Sequence, residues 1–300
     1  DLHIVDGDLP RFRSFTKARL VPGHEVVGSV VQRGAAVRHL DIGDRVGVAW
    51  RHGSCGHCEQ CREGFENLCS SGGVTGMTVD GGYAQFMTAR ASHALRIPAG
   101  LRSDEVAPLF CAGVTSYRAL KNAGVEAGQR VAVFGIGGLG HLAVQIARAM
   151  GAEVIALDVG HEKLAFALEL GAAEALDATD AAAIKTLRKR GGVHVALVTS
   201  AATAAYQTAL QCLRPTGTLS VVGLPAEPLQ IPALALVGGE IRIVGSAVGT
   251  RDDIRAVLDL AAAGLIRCRV ETRPLAQINE VLDAMRQGAI RARIVVAPGG

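Results

Sequence analysis

The sequence predicts an α/β protein, a doubly wound parallel sheet accompanied by a second, β-rich lobe. Between about residues 114 and 248, strand-like apolar runs alternate with helix-like segments, which implies crossover connections and a sheet covered on both faces. Residues 1 to about 113 carry short apolar alternations broken by Gly turns, with few helical stretches. Composition agrees: 49% of the residues are apolar, only 4% are aromatic and 37 are Gly, the profile of a tightly wound α/β chain. Its 300 residues suffice for one large domain or two medium ones.

In the first lobe, EVVGSVVQRGAAV and GDRVGVAW read as strands joined by turns. Residues 53–70 then hold GSCGHCEQCREGFENLC, in which Cys55, Cys58, Cys61 and Cys69 fall within fifteen residues in the pattern C-x2-C-x2-C-x7-C. Gly53, Gly56 and Gly64 let this loop wrap tightly. Four thiolates on a short loop complete a closed tetrahedral zinc shell. A disulfide framework belongs more to small secreted domains, and a C-x-x-C redox pair has no need of two further thiols. A closed shell leaves no position for substrate, so this metal is expected to stabilise a lobe.

The middle region pairs RVAVFG with HLAVQIARAM, EVIALD with EKLAFALELGA, and VHVALVTS with AAYQTALQCLRP, then ends on TLSVVG and IRIVGSAV. After Gly249, the amphipathic segments RDDIRAVLDLAAAG and INEVLDAMRQG lead to a last apolar run, ARIVVA. Between the first strand and its helix, Gly135, Gly137 and Gly140 spell GIGGLG. Alone that motif is weak, but Asp158 closes the next strand eighteen residues after Gly140, the spacing of a dinucleotide fingerprint. The first Gly permits the turn, the second admits a pyrophosphate close to the backbone, and the third allows tight helix packing. Phosphate then meets the N–H groups at a helix N-terminus. Asp158 accepts hydrogen bonds from both hydroxyls of an adenosine ribose and repels a 2′-phosphate, so NAD is expected over NADP; the lesser alternative is that it merely starts a turn.

Two further positions carry metal chemistry. His24 and Glu25 stand together in GHEVVG, and Cys111 lies in FCAGV just before the nucleotide-binding region. An imidazole nitrogen and a thiolate suit a second, open zinc site, which needs three protein ligands plus water or substrate. Individually each is unremarkable, since a lone His or a Cys in an apolar context is more often ordinary packing.

The net charge of +3 arises from 31 basic and 28 acidic residues spread along the chain, which argues against nucleic-acid and membrane partners. The longest apolar runs, around Val131–Phe134 and Val195–Val198, are of strand length and too short for a bilayer. Seven Cys, four of them clustered, fit a reducing compartment, so a cytoplasmic location is expected.

GHEVVGSVVQRGAAV, GDRVGVAW, the Cys cluster, DGGYAQF, FCAGVTSYRAL, VFGIGGLGHLAVQIARAMG and IVGSAVGTR together resemble the zinc-dependent medium-chain alcohol dehydrogenases, most nearly the bacterial and yeast type acting on primary alcohols. The resemblance runs from Asp1 to about Val296. It implies a GroES-like catalytic domain, formed by residues 1–113 and the returning segment 249–300, around an inserted Rossmann domain at 114–248. It makes His24 and Cys111 ligands of a catalytic zinc, with Glu25 a carboxylate that approaches the metal when water exchanges. Asp1 then orients His24, and His3 receives the substrate proton through the cofactor ribose. Zinc lowers the alcohol's pKa, and hydride passes to the nicotinamide. Gly135, Gly137, Gly138, Leu139, Gly140, Asp158, Lys163, Val222 and Arg293 are the implied cofactor-binding positions, Lys163 at the adenosine ribose and Arg293 at the pyrophosphate.

Trp50 occupies the family's aromatic pocket-wall position. Leu9 stands where small-alcohol enzymes often carry a second tryptophan, which predicts a roomier pocket for medium-chain or aromatic primary alcohols. The family's remaining zinc ligand is a Cys in a segment like CxTDLH, of which only Asp1, Leu2 and His3 are present. An N-terminal truncation is therefore expected, with the chain inactive as it stands. A homodimer or homotetramer follows by analogy, paired through the apolar edge strand around IRIVGSAV. The polyol, formaldehyde and cinnamyl alcohol branches, and a noncatalytic zinc-stabilised nucleotide-binding protein, are the alternatives.

Overall fold

Strands with no polar face must be covered on both sides, and RVAVF, EVIALD and VHVALV obey this: Val131, Val133, Ala156, Leu157 and Leu197 are fully buried. In the computed structural model, residues 1–8, 13–290 and 293–299 are described. In chain order the strands are β1 (Val26–Ser29), β2 (Arg45–Val48), β3 (Ala94–Arg96), β4 (Arg130–Phe134), β5 (Glu153–Asp158), β6 (Glu174–Asp177), β7 (Val193–Val198), β8 (Leu213–Val221), β9 (Arg242–Gly245), β10 (Val270–Pro274) and β11 (Arg293–Ala297). Two units form, one from Asp1–Val114, Thr250–Ala262 and Cys268–Gly300, the other from Thr115–Gly249 and Ala263–Arg267.

In the second unit a six-stranded sheet runs in the order β6-β5-β4-β7-β8-β9. Every adjacent pair is parallel. The chain winds outward from β4 to β6, then returns to β7 beside β4 and winds the other way, so the carboxyl ends of β4 and β7 flank the switch point where such sheets bind ligands. Helices Gly140–Ala149 and Thr203–Cys212 follow β4 and β7; Leu142, Val144, Ile146, Tyr206, Ala209 and Cys212 are buried.

Three elements depart from the apolar pattern. β6 and helix Ala181–Lys189 lie outside the strand and helix pairs read from the sequence, because EALD is a half-buried edge strand with no apolar run. The helix announces itself by its cap: Asp180 accepts from the N–H groups of Ala182 at 2.8 Å and Ala183 at 3.1 Å. β8 begins at Leu213, upstream of TLSVVG, and carries Pro215 and a Thr216 with φ 64° where the register against β7 shifts between Val193 and Val195. A bulge tolerates the missing proline donor.

The first unit contains the antiparallel sheet β1-β2-β3 over a small core of Leu40, Val46, Val48 and Ala94. β10 and β11 pair in parallel, with helix Ile278–Arg286 between them in the chain. Gly47 is obligatory in β2, since a Cβ there would lie 1.9 Å from the ring of the fully buried Phe110. The cysteine loop is anchored within this unit by Arg251, whose Nη2 donates to Glu66 Oε2 at 2.6 Å, Nε to Glu66 Oε1 at 2.9 Å and Nη1 to the Ser92 carbonyl at 2.9 Å. Among the described residues no helix is long and apolar enough to cross a membrane.

Candidate functional site

The cysteine loop closes on itself. The sulfurs of Cys55, Cys58, Cys61 and Cys69 all lie within 4.8 Å of one another, and all four are free thiols. Gly56 and Gly64 take φ 78° and 83°, which keeps the two halves of the loop short. Backbone N–H groups point at the sulfurs: Cys55 N–H to Cys69 Sγ at 3.4 Å and Cys58 N–H to Cys55 Sγ at 3.3 Å. Donation from the N–H groups of His57 and Cys58 brings the Cys55 thiol down to about 6. Thiolates poised in this way, four to a loop, are the donor set that zinc takes in closed tetrahedral sites.

His24, Glu25 and Cys111 also converge, each offering a ligand atom within 4.8 Å of the others. The turn that carries His24 is gripped by the segment Gly81–Tyr83. Gly81 N–H donates to the Val21 carbonyl at 2.6 Å, Gly82 N–H to Gly23 O at 3.0 Å and Tyr83 N–H to Pro22 O at 3.0 Å. Gly23 has φ 99°, and a Cβ on it would meet the Tyr83 ring at 2.8 Å, so the approach requires glycine. Cys111 sits between the buried turn Ala107–Phe110 and helix Ala112–Asn122.

His24 is 8% exposed, and its Nδ1 lies 2.8 Å from Asp1 Oδ1. The same oxygen accepts from the Gly23 N–H at 3.1 Å. A carboxylate only accepts, so Nδ1 carries the proton and Nε2 keeps its lone pair for a metal. Trp50 meets the imidazole edge-on, ring centroids 5.0 Å apart at 80°. Glu25 forms a half-buried ion pair with Arg293. Thus Glu25 has two competing partners, the guanidinium and any metal at His24 and Cys111.

The other expected positions are placed as follows. His3 lies on the short helix Leu2–Asp6, half exposed, with Nδ1 2.9 Å from Asp8 Oδ2. Leu9 falls outside the described residues. One contributor escaped the residue-type patterns: Tyr83, whose hydroxyl donates to Asp1 Oδ2 at 2.9 Å. Burial pushes its phenol up to about 12, with Glu25 adding to the effect. Its sequence signals are its place in DGGYAQF and the pair Gly81 and Gly82 just before it, which permits the close backbone approach.

The glycine-rich turn leaves β4 at the switch point. Gly135 has φ 91°, and a Cβ on Gly140 would lie 1.8 Å from the Gly135 carbonyl oxygen. Gly137, by contrast, faces open space with no atom within 4 Å of where its Cβ would be. The turn is tied to the end of β7 by Thr199, whose Oγ1 donates to Gly135 O at 2.8 Å. Gly138 and Leu139 complete the turn, and the Leu139 carbonyl accepts from Ser116 Oγ at 3.1 Å. Val222, just past β8, donates its N–H to the Val198 carbonyl at 3.2 Å.

At the tip of β5 Asp158 is 6% exposed; its Oδ2 accepts from the Ile136 N–H at 2.5 Å, and its Oδ1 from the Val159 N–H at 2.7 Å and Lys163 Nζ at 3.2 Å. The carboxylate is therefore fastened to the turn itself. Open space over Gly137, tight packing under Gly140 and a fixed carboxylate beside them fit the pyrophosphate and ribose of a dinucleotide.

Comparison with known proteins identifies the family. A family model described as alcohol dehydrogenase GroES-like domain matches residues 1–99, and one described as zinc-binding dehydrogenase matches residues 138–263. An alcohol dehydrogenase of Geobacillus stearothermophilus is 46% identical over 297 residues, covering 99% of this chain and 87% of the relative. Among solved structures, a cinnamyl alcohol dehydrogenase of Sorghum bicolor superposes with TM-score 0.89 at 33% identity, covering 99% of this chain and 85% of that one. An acetophenone reductase of Geotrichum candidum in complex with NAD gives TM-score 0.87 at 31% identity, covering 99% and 85%. With two free-thiol and imidazole clusters, a glycine turn at the sheet's switch point and these likenesses over nearly its whole length, the chain belongs to the zinc-dependent medium-chain alcohol dehydrogenases.

Proposed function

We propose that the full-length protein interconverts primary alcohols and aldehydes, with NAD as the hydride carrier and with His24 and Cys111 among the ligands of a catalytic zinc. The observation that carries the proposal is the convergence of His24, Glu25 and Cys111 within 4.8 Å, with the imidazole already oriented by Asp1. A zinc ion bound there would supply Lewis acidity to an alcohol oxygen. Asp1 keeps the His24 tautomer that leaves Nε2 available. Glu25, restrained by Arg293, is near enough to exchange with a departing ligand. Trp50, edge-on to His24, presents an apolar wall that suits a hydrocarbon substituent. His3, half exposed, can return a substrate proton to solvent.

Asp158 supports NAD over NADP: its oxygens accept hydrogen bonds and would repel a 2′-phosphate, although Lys163 at 3.2 Å moderates that repulsion. The Cys55, Cys58, Cys61 and Cys69 set would hold a second zinc with four protein thiolates, leaving no ligand position for substrate. Ethanol, 1-hexanol, benzyl alcohol and cinnamyl alcohol, each compared with NAD and NADP by kcat/KM, test the proposal on the zinc-loaded full-length protein. We expect NAD to be preferred at least about tenfold, a difference of roughly 1.4 kcal/mol in transition-state stabilisation, and medium-chain or aromatic alcohols to match or exceed ethanol. A preference for NADP, or a sharp peak at ethanol, overturns the corresponding half.

The exposed β9 edge, with Ile243 at 38% and the neighbouring Leu234 and Val237 at 82% and 77% exposure, favours pairing with a second copy. Sedimentation equilibrium is expected to give a dimer or tetramer, and a monomer at micromolar concentration would refute it.

A further inference from the structure

The Tyr83 hydroxyl belongs to a line of hydrogen bonds that ends at the nitrogen offered to metal. Asp1 has two carboxylate oxygens with separate duties. Oδ1 receives His24 Nδ1–H at 2.8 Å and Gly23 N–H at 3.1 Å, and Oδ2 receives the Tyr83 hydroxyl at 2.9 Å. The Asp1 side chain is only 14% exposed, so few waters compete for Oδ2. A carboxylate held at one oxygen can still swing about its terminal torsion, whereas one held at both has its plane set. The backbone of Tyr83 is itself fixed to the His24 turn by its N–H to Pro22 O at 3.0 Å, and its ring packs where Gly23 leaves room. The phenol is thus built into the same turn as the ligand that it governs.

We infer that Tyr83 is a positioning residue for the metal site at His24, Glu25 and Cys111, acting through Asp1 to hold the His24 imidazole in its ligating orientation. This rests on the proposal that those residues bind the catalytic zinc. Removing only the hydroxyl leaves the ring that packs on Gly23, frees Asp1 Oδ2 and lets the carboxylate rotate. The His24 Nδ1–H bond then lengthens for part of the time and Nε2 points away from the metal position.

The test is metal retention in the cobalt- or zinc-loaded protein. The Tyr83→Phe variant, challenged with excess chelator, should release the metal of this site about five- to twentyfold faster than wild type, around the lower end of the roughly ten- to hundredfold effects of groups that bond a ligating His directly. The metal of the cysteine quartet should leave at the wild-type rate. The cobalt absorption bands of the His24 and Cys111 site should broaden or shift, a change that general loosening of the fold would spread to the quartet as well.

In an Asp1→Ala background the additional Tyr83→Phe change should alter release by less than about twofold, because the route through the carboxylate is already gone. Equal release in Tyr83→Phe and wild type overturns the inference, and so does an equal effect in both backgrounds, which assigns the hydroxyl to packing. Failure of the underlying metal proposal has a different signature: wild type binds only the quartet's metal, and His24→Ala leaves the metal content unchanged.

Discussion

Acidification should weaken the first unit through one buried histidine. His93 is 6% exposed, with Nε2 3.2 Å from Ser54 Oγ and Nδ1 3.0 Å from Ser92 Oγ. Burial, and next the nearby Arg251 guanidinium, bring its pKa down to about 4 against the opposing pull of Glu66. In the unfolded chain the imidazole titrates near its ordinary 6.5. Between those values the unfolded state binds more protons than the folded one, so stability is complete above about pH 6.5 and falls as the pH drops toward 4. Integrating from pH 7 to pH 5 gives a loss of about 2 kcal/mol from this group alone.

Trp50 is the only tryptophan and lies in the same unit, so its fluorescence reports urea unfolding of that unit. A His93→Gln protein should start less stable at pH 7 but lose about 2 kcal/mol less than wild type on moving to pH 5. Loss of metal from the thiolates is common to both proteins and cancels in the difference. Glu66, held at about 2 by Arg251 against the opposing effect of burial, contributes only below its ordinary 4.5 and stays outside the window. Identical pH dependence in the two proteins, or a wild type that gains stability toward pH 5, would refute the reasoning.

Other consequences are equally direct. Gly137→Ala should fold with a melting temperature within about 1 °C of wild type and raise the KM for the dinucleotide, since its Cβ meets no protein atom. Gly140→Ala should instead destabilise the second unit itself, because the added carbon lies 1.8 Å from Gly135 O. Arg293→Gln strands Glu25 in a half-buried site and should cost about 3–5 kcal/mol; a thermal melt in which the double change with Glu25→Gln recovers most of that loss confirms the pairing. Cys58→Ser should remove one zinc equivalent and lower the unfolding midpoint reported by Trp50, and metal analysis showing two equivalents retained would refute it.

Local chemistry in the sequence was sufficient for several features. The spacing of Cys55, Cys58, Cys61 and Cys69 determines that their sulfurs can meet, because all four lie on one short loop and no distant part of the chain has to cooperate. The parallel sheet was legible for a similar reason: β4, β5 and β7 are buried on both faces, and only continuous apolar runs satisfy that. β6 and the start of β8 were not legible, because an edge strand with a polar side and a strand that passes through Pro215 both lack the run that identifies a buried strand.

The convergence of His24, Glu25 and Cys111 in the first unit required the tertiary structure. His24 and Cys111 are 87 positions apart, and neither a His nor a Cys alone carries a signal. The family resemblance named Asp1 and Glu25, but only folding decided their company: Asp1 between His24 and Tyr83, and Glu25 against Arg293. Tyr83 stands at the far end of that distinction. By its side-chain type it is an ordinary aromatic, and it gains a place beside the ligands because three backbone hydrogen bonds draw Gly81–Tyr83 onto the turn that holds His24. Short-range spacing thus determines what a loop can bind, whereas partners that must converge from distant segments are chosen by the packing that brings them within hydrogen-bond reach.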